Sequence, residues 1–530
     1  MAKIDFNDDG AVVIIGSGAG GGTLANELCQ KGIKVVVLEA GAVQSSATFI
    51  NDEWKSFSQL AWLDPRTTSG SWRVAKDFSG LPAWICKTVG GTTTHWAGAS
   101  LRFQEHEFRV RTHYGDIQGA NLMDWPLTLA ELAPYYARAE DKMGVTRTHG
   151  IPGLPGNNNF KVMYAGAKKL GYQEVHTGNM AINSEPRDGR GRCMQLGFCF
   201  QGCKSGAKWS TLYTELPKAE ATGNLDLRPE SHVVRIEHDD SGKVTAVVYH
   251  DKSGTQQRQK ARIVCVAGNS IETPRLLLLS ASSMFKDGLA NSSGQVGRNY
   301  MRHMTGSVYA MFKQPVHMYR GTTMAGIIRD EARHDTRRGF AGGYELETLS
   351  LGVPFMAAFL NPGAWGSEFT EYMDNYTHLA GMWLVGEDMP RETNRITLNA
   401  NVKVFMADFE DALEGHRHDF REEAQEEPHD VQRVRHRAMV AGVRQAEVRD
   451  ERREAEVRYL RRERPHALQR VDDGVLRRRQ MVVRELLADE ADVTSAQVRR
   501  DFMSLNTIGI PKKGYATAAL LQELGLIIEG

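Results

Sequence analysis

Residues 11–41 read AVVIIGSGAGGGTLANELCQKGIKVVVLEAG, and this stretch decides the fold. Ala11 to Ile15 is a short apolar, β-branched run ending in glycine, which predicts a strand buried on both faces. Gly16, Gly18 and Gly21 follow in a G-x-G-x-x-G spacing and lead into a helix predicted over Gly20–Gln30. Gly16 permits the tight turn, Gly18 lets backbone approach a pyrophosphate, and Gly21 lets helix and strand pack closely. The helix start offers free N–H groups and a positive dipole end to phosphate. A second apolar run, Val35–Leu38, ends in Glu39, about 20 residues downstream of the glycines, where a carboxylate accepts hydrogen bonds from the ribose hydroxyls. Strand, glycine turn, helix, strand and acid together read as a dinucleotide-binding unit.

The chain of 530 residues is long enough for two or three domains. Its 65 basic and 65 acidic side chains balance, so no global field draws it to nucleic acid or to a membrane. No apolar run reaches the roughly 20 residues of a membrane helix. The opening MAKIDFNDDG lacks the basic-then-apolar plan of a signal peptide, so export is expected to need a partner that carries the signal. Six cysteines do not make a disulfide framework; their spacing is the informative feature.

Residues 42–86 show no clear period and read as loops with short helices. Next comes CKTVGGTTTHWAGASLRF, Cys86–Phe103, whose Gly90, Gly91 and Thr92 make a flexible, hydroxyl-rich loop ahead of His95 and Trp96. Such a loop suits a flat ring system; an ordinary turn before a helix is the alternative. Further on lie DWPLTLAELAPYYARAE (Asp124–Glu140), a strand at Val233–Val234, VAGNSIETPRLLLLS (Val266–Ser280), VGRNYMRH (Val296–His303) and NRITLN (Asn394–Asn399).

In order and spacing these segments resemble the glucose–methanol–choline (GMC) flavoprotein oxidoreductases over residues 8–400. They are most like the large subunits of bacterial gluconate, sorbitol and FAD-glucose dehydrogenases. The resemblance implies FAD held by Gly16, Gly18, Gly21, Glu39, Gly90, Gly91, Thr92, His95, Trp96 and Val234. It also implies oxidation of a sugar or sugar-acid alcohol, with electrons passed to a cytochrome c subunit and export assisted by a small chaperone-like subunit. The expected location is periplasmic and membrane-associated through those partners, with the cytoplasm as alternative. The THW triplet resembles that of pyranose oxidase, which implies a covalent bond from His95 to the flavin 8α-methyl; non-covalent packing against the dimethylbenzene edge is the alternative.

The segment GRCMQLGFCFQGC brings Cys193, Cys199 and Cys203 within one glycine-punctuated loop. Structural zinc usually takes four Cys or His ligands, and the nearest later histidine, His232, is some distance away. Three thiolates match a cuboidal cluster with one open corner, the [3Fe–4S] type, because each caps one iron. The spacing also resembles that of the FAD-glucose dehydrogenase catalytic subunit. Three unrelated loop thiols are the alternative. Cys29, Cys86 and Cys265 read as packing residues.

After Asn399 the family pattern stops. Neither a histidine motif of the ST-H-x-x-G-T-x-R-M type nor a later N-P-x-x-T occurs, so the catalytic base is unassigned; His466, in RPHALQR, does not match the motif. Residues 411–500 hold 20 arginines and no lysine, a composition that a shifted reading frame in GC-rich DNA produces. Val404–Ala412 resembles malate synthase text over a few residues. Asp492–Gly525 resembles the start of the Rex winged helix, with Thr494–Phe502 as recognition helix, Arg499 and Arg500 as DNA contacts and Lys512–Tyr515 as wing.

The expected fold is α/β: a Rossmann-like FAD domain interleaved with a mixed-sheet substrate domain, plus an atypical, charged, helical tail. The expected divisions are 1–299 for FAD binding with an iron–sulfur loop near 190–205, 300–400 for substrate, 401–491 for the Arg-rich segment and 492–530 for the winged-helix-like fragment. Loss of the family's last strand and helix predicts weak flavin retention. A catalytically dead flavin scaffold and a DNA-binding redox sensor are the rival functions.

Overall fold

The computed structural model describes residues 3–52, 86–350 and 365–398. The expectations for 53–85 and for everything after Leu398, including His466, the Arg-rich segment and the winged-helix-like fragment, lie outside the described residues.

Four short strands make a wholly parallel sheet: β1 (Val12–Ile15), β2 (Val35–Leu38), β4 (Leu225–Arg228) and β8 (Ile263–Val266), in the order β4-β2-β1-β8. The run between β1 and β2 is helix α1, Ala19–Cys29, one residue earlier at each end than its predicted span. All eight residues of β1 and β2 are buried, as a parallel strand covered on both faces requires. Val12, Ile14, Val35 and Val37 meet Ala25 and Cys29 of α1 and Leu216 and Ala219 of the Glu215–Ala221 helix. Val13, Ile15, Val36 and Leu38 meet Val233, Ile236, Val247 and Tyr249 on the other face. Those last four come from an antiparallel meander, β5 (His232–His238), β6 (Val244–His250) and β7 (Gln256–Lys260). Among the described strands β4 and β8 are the sheet edges, and Ile263 of β8 is 51% exposed.

A second, five-stranded sheet has the order β3-β10-β11-β12-β9 and is antiparallel throughout. Its strands are β3 (Val175–His176), β9 (Met304–Met311), β10 (Met324–Ile328), β11 (Tyr344–Leu349) and β12 (Leu379–Gly386). The sheet therefore draws on chain ahead of residue 300 as well as after it. The Asn158–Lys169 helix, capped by Asn157, covers one face. There Phe160 packs where a Cβ on Gly326 would lie 2.1 Å from its ring. Asn159 ties the helix to the sheet through the Leu349 and Gly381 carbonyls and the Gly381 N–H.

Register places His176, Ile327, Glu347, Trp383 and Ser307 in one row across the opposite face. Burial, and then neighbouring Glu345, push the Glu347 carboxyl up to about 7 from an ordinary 4.5. Between about pH 4.5 and 7 the unfolded chain releases a proton that the folded chain keeps, so stability falls as pH rises through that window. Glu347→Gln is accordingly expected to raise the melting temperature by about 2–4 °C at pH 8 and to leave it unchanged at pH 4. Equal shifts at both pH values in a thermal-melt series would refute this.

Candidate active site

Two glycine loops from distant parts of the chain meet at the carboxyl end of the parallel sheet. Gly16 leaves β1 with φ +96°, and a Cβ there would sit 2.6 Å from the Ala267 carbonyl oxygen. Gly21 lies against that turn: a Cβ on it would meet the Gly16 oxygen at 2.0 Å. Gly18 is the N-cap of α1 and has no side chain to satisfy the first N–H groups. No acidic residue stands in the first turn, and Ala19 and Gly20 are exposed. An open helix N-terminus of this kind favours an anion.

The second loop is a turn of 3-10 helix over Gly91–Thr94, preceded by Gly90 at φ +91°. A Cβ on Gly91 would lie 2.8 Å from Gly18 Cα, so the two loops approach as closely as backbone allows. Ser17 stitches them. Its hydroxyl donates to Glu39 Oε2 at 2.7 Å and accepts from the Gly90 N–H at 3.0 Å. Its carbonyl accepts from the Thr211 hydroxyl at 2.8 Å. Sequence reasoning missed Ser17, because an x position in a glycine motif carries no signal of a partner 73 residues away.

Glu39 is buried, and its carboxylate works inward. Oε2 also accepts from the Ser17 N–H at 3.0 Å, and Oε1 accepts from the Gly41 N–H at 2.9 Å. Burial pushes its carboxyl up, and the Ser17 and Gly41 hydrogen bonds pull it back. Val234 sits at a skipped place in the β5–β6 ladder, where Val233 faces Tyr249 and Arg235 faces Val248. The bulge takes the Val234 backbone out of regular pairing. Just before it, the Ser231 N–H bonds to the Glu39 carbonyl at 2.7 Å, which ties β5 to the acid at the end of β2.

Thr92 is exposed, Trp96 is half-buried and His95 is buried. The Trp96 indole donates to the Trp209 carbonyl at 3.0 Å. His95 Nδ1 lies 2.8 Å from the Phe200 carbonyl, which only accepts, so Nδ1 carries the proton and Nε2 keeps its lone pair. Nε2 is buried and has no hydrogen-bond partner among the described residues. Burial, with the Lys208 charge beside it, pushes His95 down to about 4, so the ring is neutral at pH 7. A neutral imidazole with a free, buried Nε2 is the form that packs against, or bonds to, an apolar ring edge.

Cys193, Cys199 and Cys203 all pack on one apolar cluster with Leu154, Met180, Ile182, Ala207 and Met324. Each sulfur accepts one backbone N–H: Gln195 to Cys193 at 3.3 Å, Thr323 to Cys199 at 3.4 Å and Lys208 to Cys203 at 3.4 Å. Burial pushes the Cys193 thiol up to about 12 and raises that of Cys199. Among the described residues no group of three or more His, Cys, Asp or Glu side chains is placed to hold a metal ion. Cys29 and Cys86 are buried and Cys265 lies half-buried on β8, in line with packing roles.

The two glycine loops, the open helix end and the unpartnered His95 nitrogen fit FAD. The family model described as GMC oxidoreductase matches residues 36–305. A 2-methyl-1,2-propanediol dehydrogenase of Mycolicibacterium austroafricanum is 32% identical over 421 residues, 75% of this chain and 75% of its own. The fructose dehydrogenase large subunit of Gluconobacter japonicus is 29% identical, covering 74% of this chain and 77% of its own. The gluconate 2-dehydrogenase flavoprotein of Pantoea cypripedii is 23% identical, covering 74% of this chain and 73% of its own.

Proposed function

The chain belongs to the GMC oxidoreductases, FAD-dependent enzymes of alcohol oxidation, and on that premise we propose that its substrate is a sugar or sugar acid and that it hands electrons on singly to a cytochrome subunit. The observation that carries the reading is the pair of glycine loops closed by Ser17 over an open helix N-terminus. Bound FAD supplies the two-electron acceptor for a hydride from the carbinol carbon.

The chain's own residues do the rest. Gly16, Gly18 and the first turn of α1 receive the pyrophosphate, Glu39 holds the turn and faces the ribose, and the Gly90–Trp96 loop lies along the ring system. The polar row His176, Glu347, Trp383 and Ser307 is the proposed substrate wall, since polyhydroxy compounds need several hydrogen-bond partners around an apolar platform. The place where the family carries its proton-accepting histidine falls after Asn399, outside the described residues. A base is commonly worth 10²–10⁴ in rate, roughly the loss expected if none serves.

Cys193, Cys199 and Cys203 would hold a [3Fe–4S] cluster, which takes electrons one at a time. What supports this is their packing against one apolar cluster and their three N–H···S contacts, since such contacts stabilise thiolate charge on a cluster. The relatives named as large subunit or flavoprotein suit a chain that works with partner subunits. The proposed setting is the periplasmic side of a membrane.

One spectrum tests the reading. Purified protein supplied with FAD should show flavin bands that bleach on adding gluconate, glucose, sorbitol or fructose. Yellow colour left in an acid pellet would add a covalent bond at His95 Nε2. Bands that no sugar bleaches would refute the substrate assignment and favour a flavin scaffold.

A further inference from the structure

Lys208 has no solvent exposure, yet it ends in an ammonium group. Buried lysines are rare unless each N–H is satisfied. Here all three are: Nζ donates to the Thr94 carbonyl at 3.0 Å, the Trp96 carbonyl at 2.7 Å and the Cys199 carbonyl at 2.8 Å. Two of these carbonyls flank His95, and the third belongs to the cysteine loop. The next carbonyl of that loop, Phe200, accepts the hydrogen bond from His95 Nδ1–H. Gly98, at φ +89°, lies alongside: a Cβ there would press on Ile182 at 2.8 Å and stand 3.6 Å from the Lys208 stem. The Lys208 N–H in turn bonds to Cys203 Sγ. A single side chain thus joins the loop that carries His95 and Trp96 to the loop that carries the three thiols.

We propose that Lys208 is a positioning residue, which fixes His95 and Trp96 against the flavin by tying the carbonyls on both sides of His95 to the cysteine loop. A lysine suits this place better than an arginine, because three donors on a tetrahedral nitrogen reach three carbonyls that converge, whereas the planar guanidinium fork does not. The inference rests on FAD lying along the Gly90–Trp96 loop and is independent of whether the thiols hold iron.

The test compares full-length wild type with Lys208→Met, which keeps the length and apolar stem but donates nothing, and with Lys208→Gln, which keeps two donors. FAD affinity should fall at least tenfold in the methionine variant and by less in the glutamine variant, with an altered visible flavin spectrum. Amide hydrogen exchange, measured without flavin, should speed up at residues 94–96 and 199–203 while protection of β1 and β2 stays unchanged. A merely structural lysine would move protection of the whole parallel sheet together. Unchanged FAD affinity and spectrum in Lys208→Met would overturn the proposal. So would failure of both variants to fold, which would make Lys208 a residue of general stability. Iron and sulfide measured on the same wild-type sample report on the cluster separately, and added FAD that does not bind the wild type marks a failure of the flavin reading rather than of the lysine brace.

Discussion

Gly21→Val is expected to give a folded protein that stays colourless even with excess FAD. Even a single Cβ at this position would meet the Gly16 carbonyl oxygen at 2.0 Å, its carbon at 3.0 Å and Ile14 Cγ2 at 3.2 Å. Two of these three atoms are backbone of the very turn that must cradle the pyrophosphate, so relief comes only by moving α1 away from β1. Overpacking of this kind typically costs about 1–3 kcal/mol, a loss the rest of the sheet withstands. The phosphate site is less tolerant, because it consists of the helix N-terminus and the turn whose relative placement the valine disrupts. Gly306→Ala, on β9 of the other sheet, is the control: nothing lies within 4 Å of its Cβ. It should keep its flavin. The ratio of flavin to protein absorbance reads both variants, and a fully yellow Gly21→Val protein would remove the turn from the cofactor site.

The second large effect concerns the thiols. Cys199→Ser should take the anaerobically purified protein from about three iron atoms per chain to about none, while sugar still bleaches the flavin and one-electron acceptors are no longer reduced at the wild-type rate. The serine hydroxyl also packs against an apolar cluster that includes Met180, Ile182 and Met324, so a modest loss of thermal stability should accompany it. Wild-type protein without iron and acid-labile sulfide would end the cluster reading and leave three packing thiols.

These two experiments address features that differ in how they show in the sequence. The glycine turn is local: Gly16, Gly18 and Gly21 lie within six residues of one another, and the strand patterns on either side announce the element they connect. Reading alone places β1, α1 and β2 to within about one residue. The cysteine spacing is equally local, and the resemblance of the ordered motifs extends the reading to the family itself.

Other features have no local sign. The second sheet recruits β3 and the Asn158–Lys169 helix from chain far ahead of its main strands, because an antiparallel sheet with one covered face can take its cover from any segment with the right apolar side. Its polar row exists only through register: Glu347 and Trp383 become neighbours when β11 pairs β12, and a one-residue slip would turn both to the other face.

The sequence by itself determined that a dinucleotide turn stands at the start of an α/β chain and that three thiols share one loop, since both follow from spacing along the backbone. Only the tertiary structure decided that Ser17 closes one glycine loop on the other, that His95 keeps Nε2 free, and that Lys208 spends all three of its N–H bonds between the flavin loop and the cysteine loop. The partners in these contacts are up to 114 residues apart. A buried polar group is satisfied by whatever the folded chain brings within about 3 Å, and no local pattern specifies that neighbour.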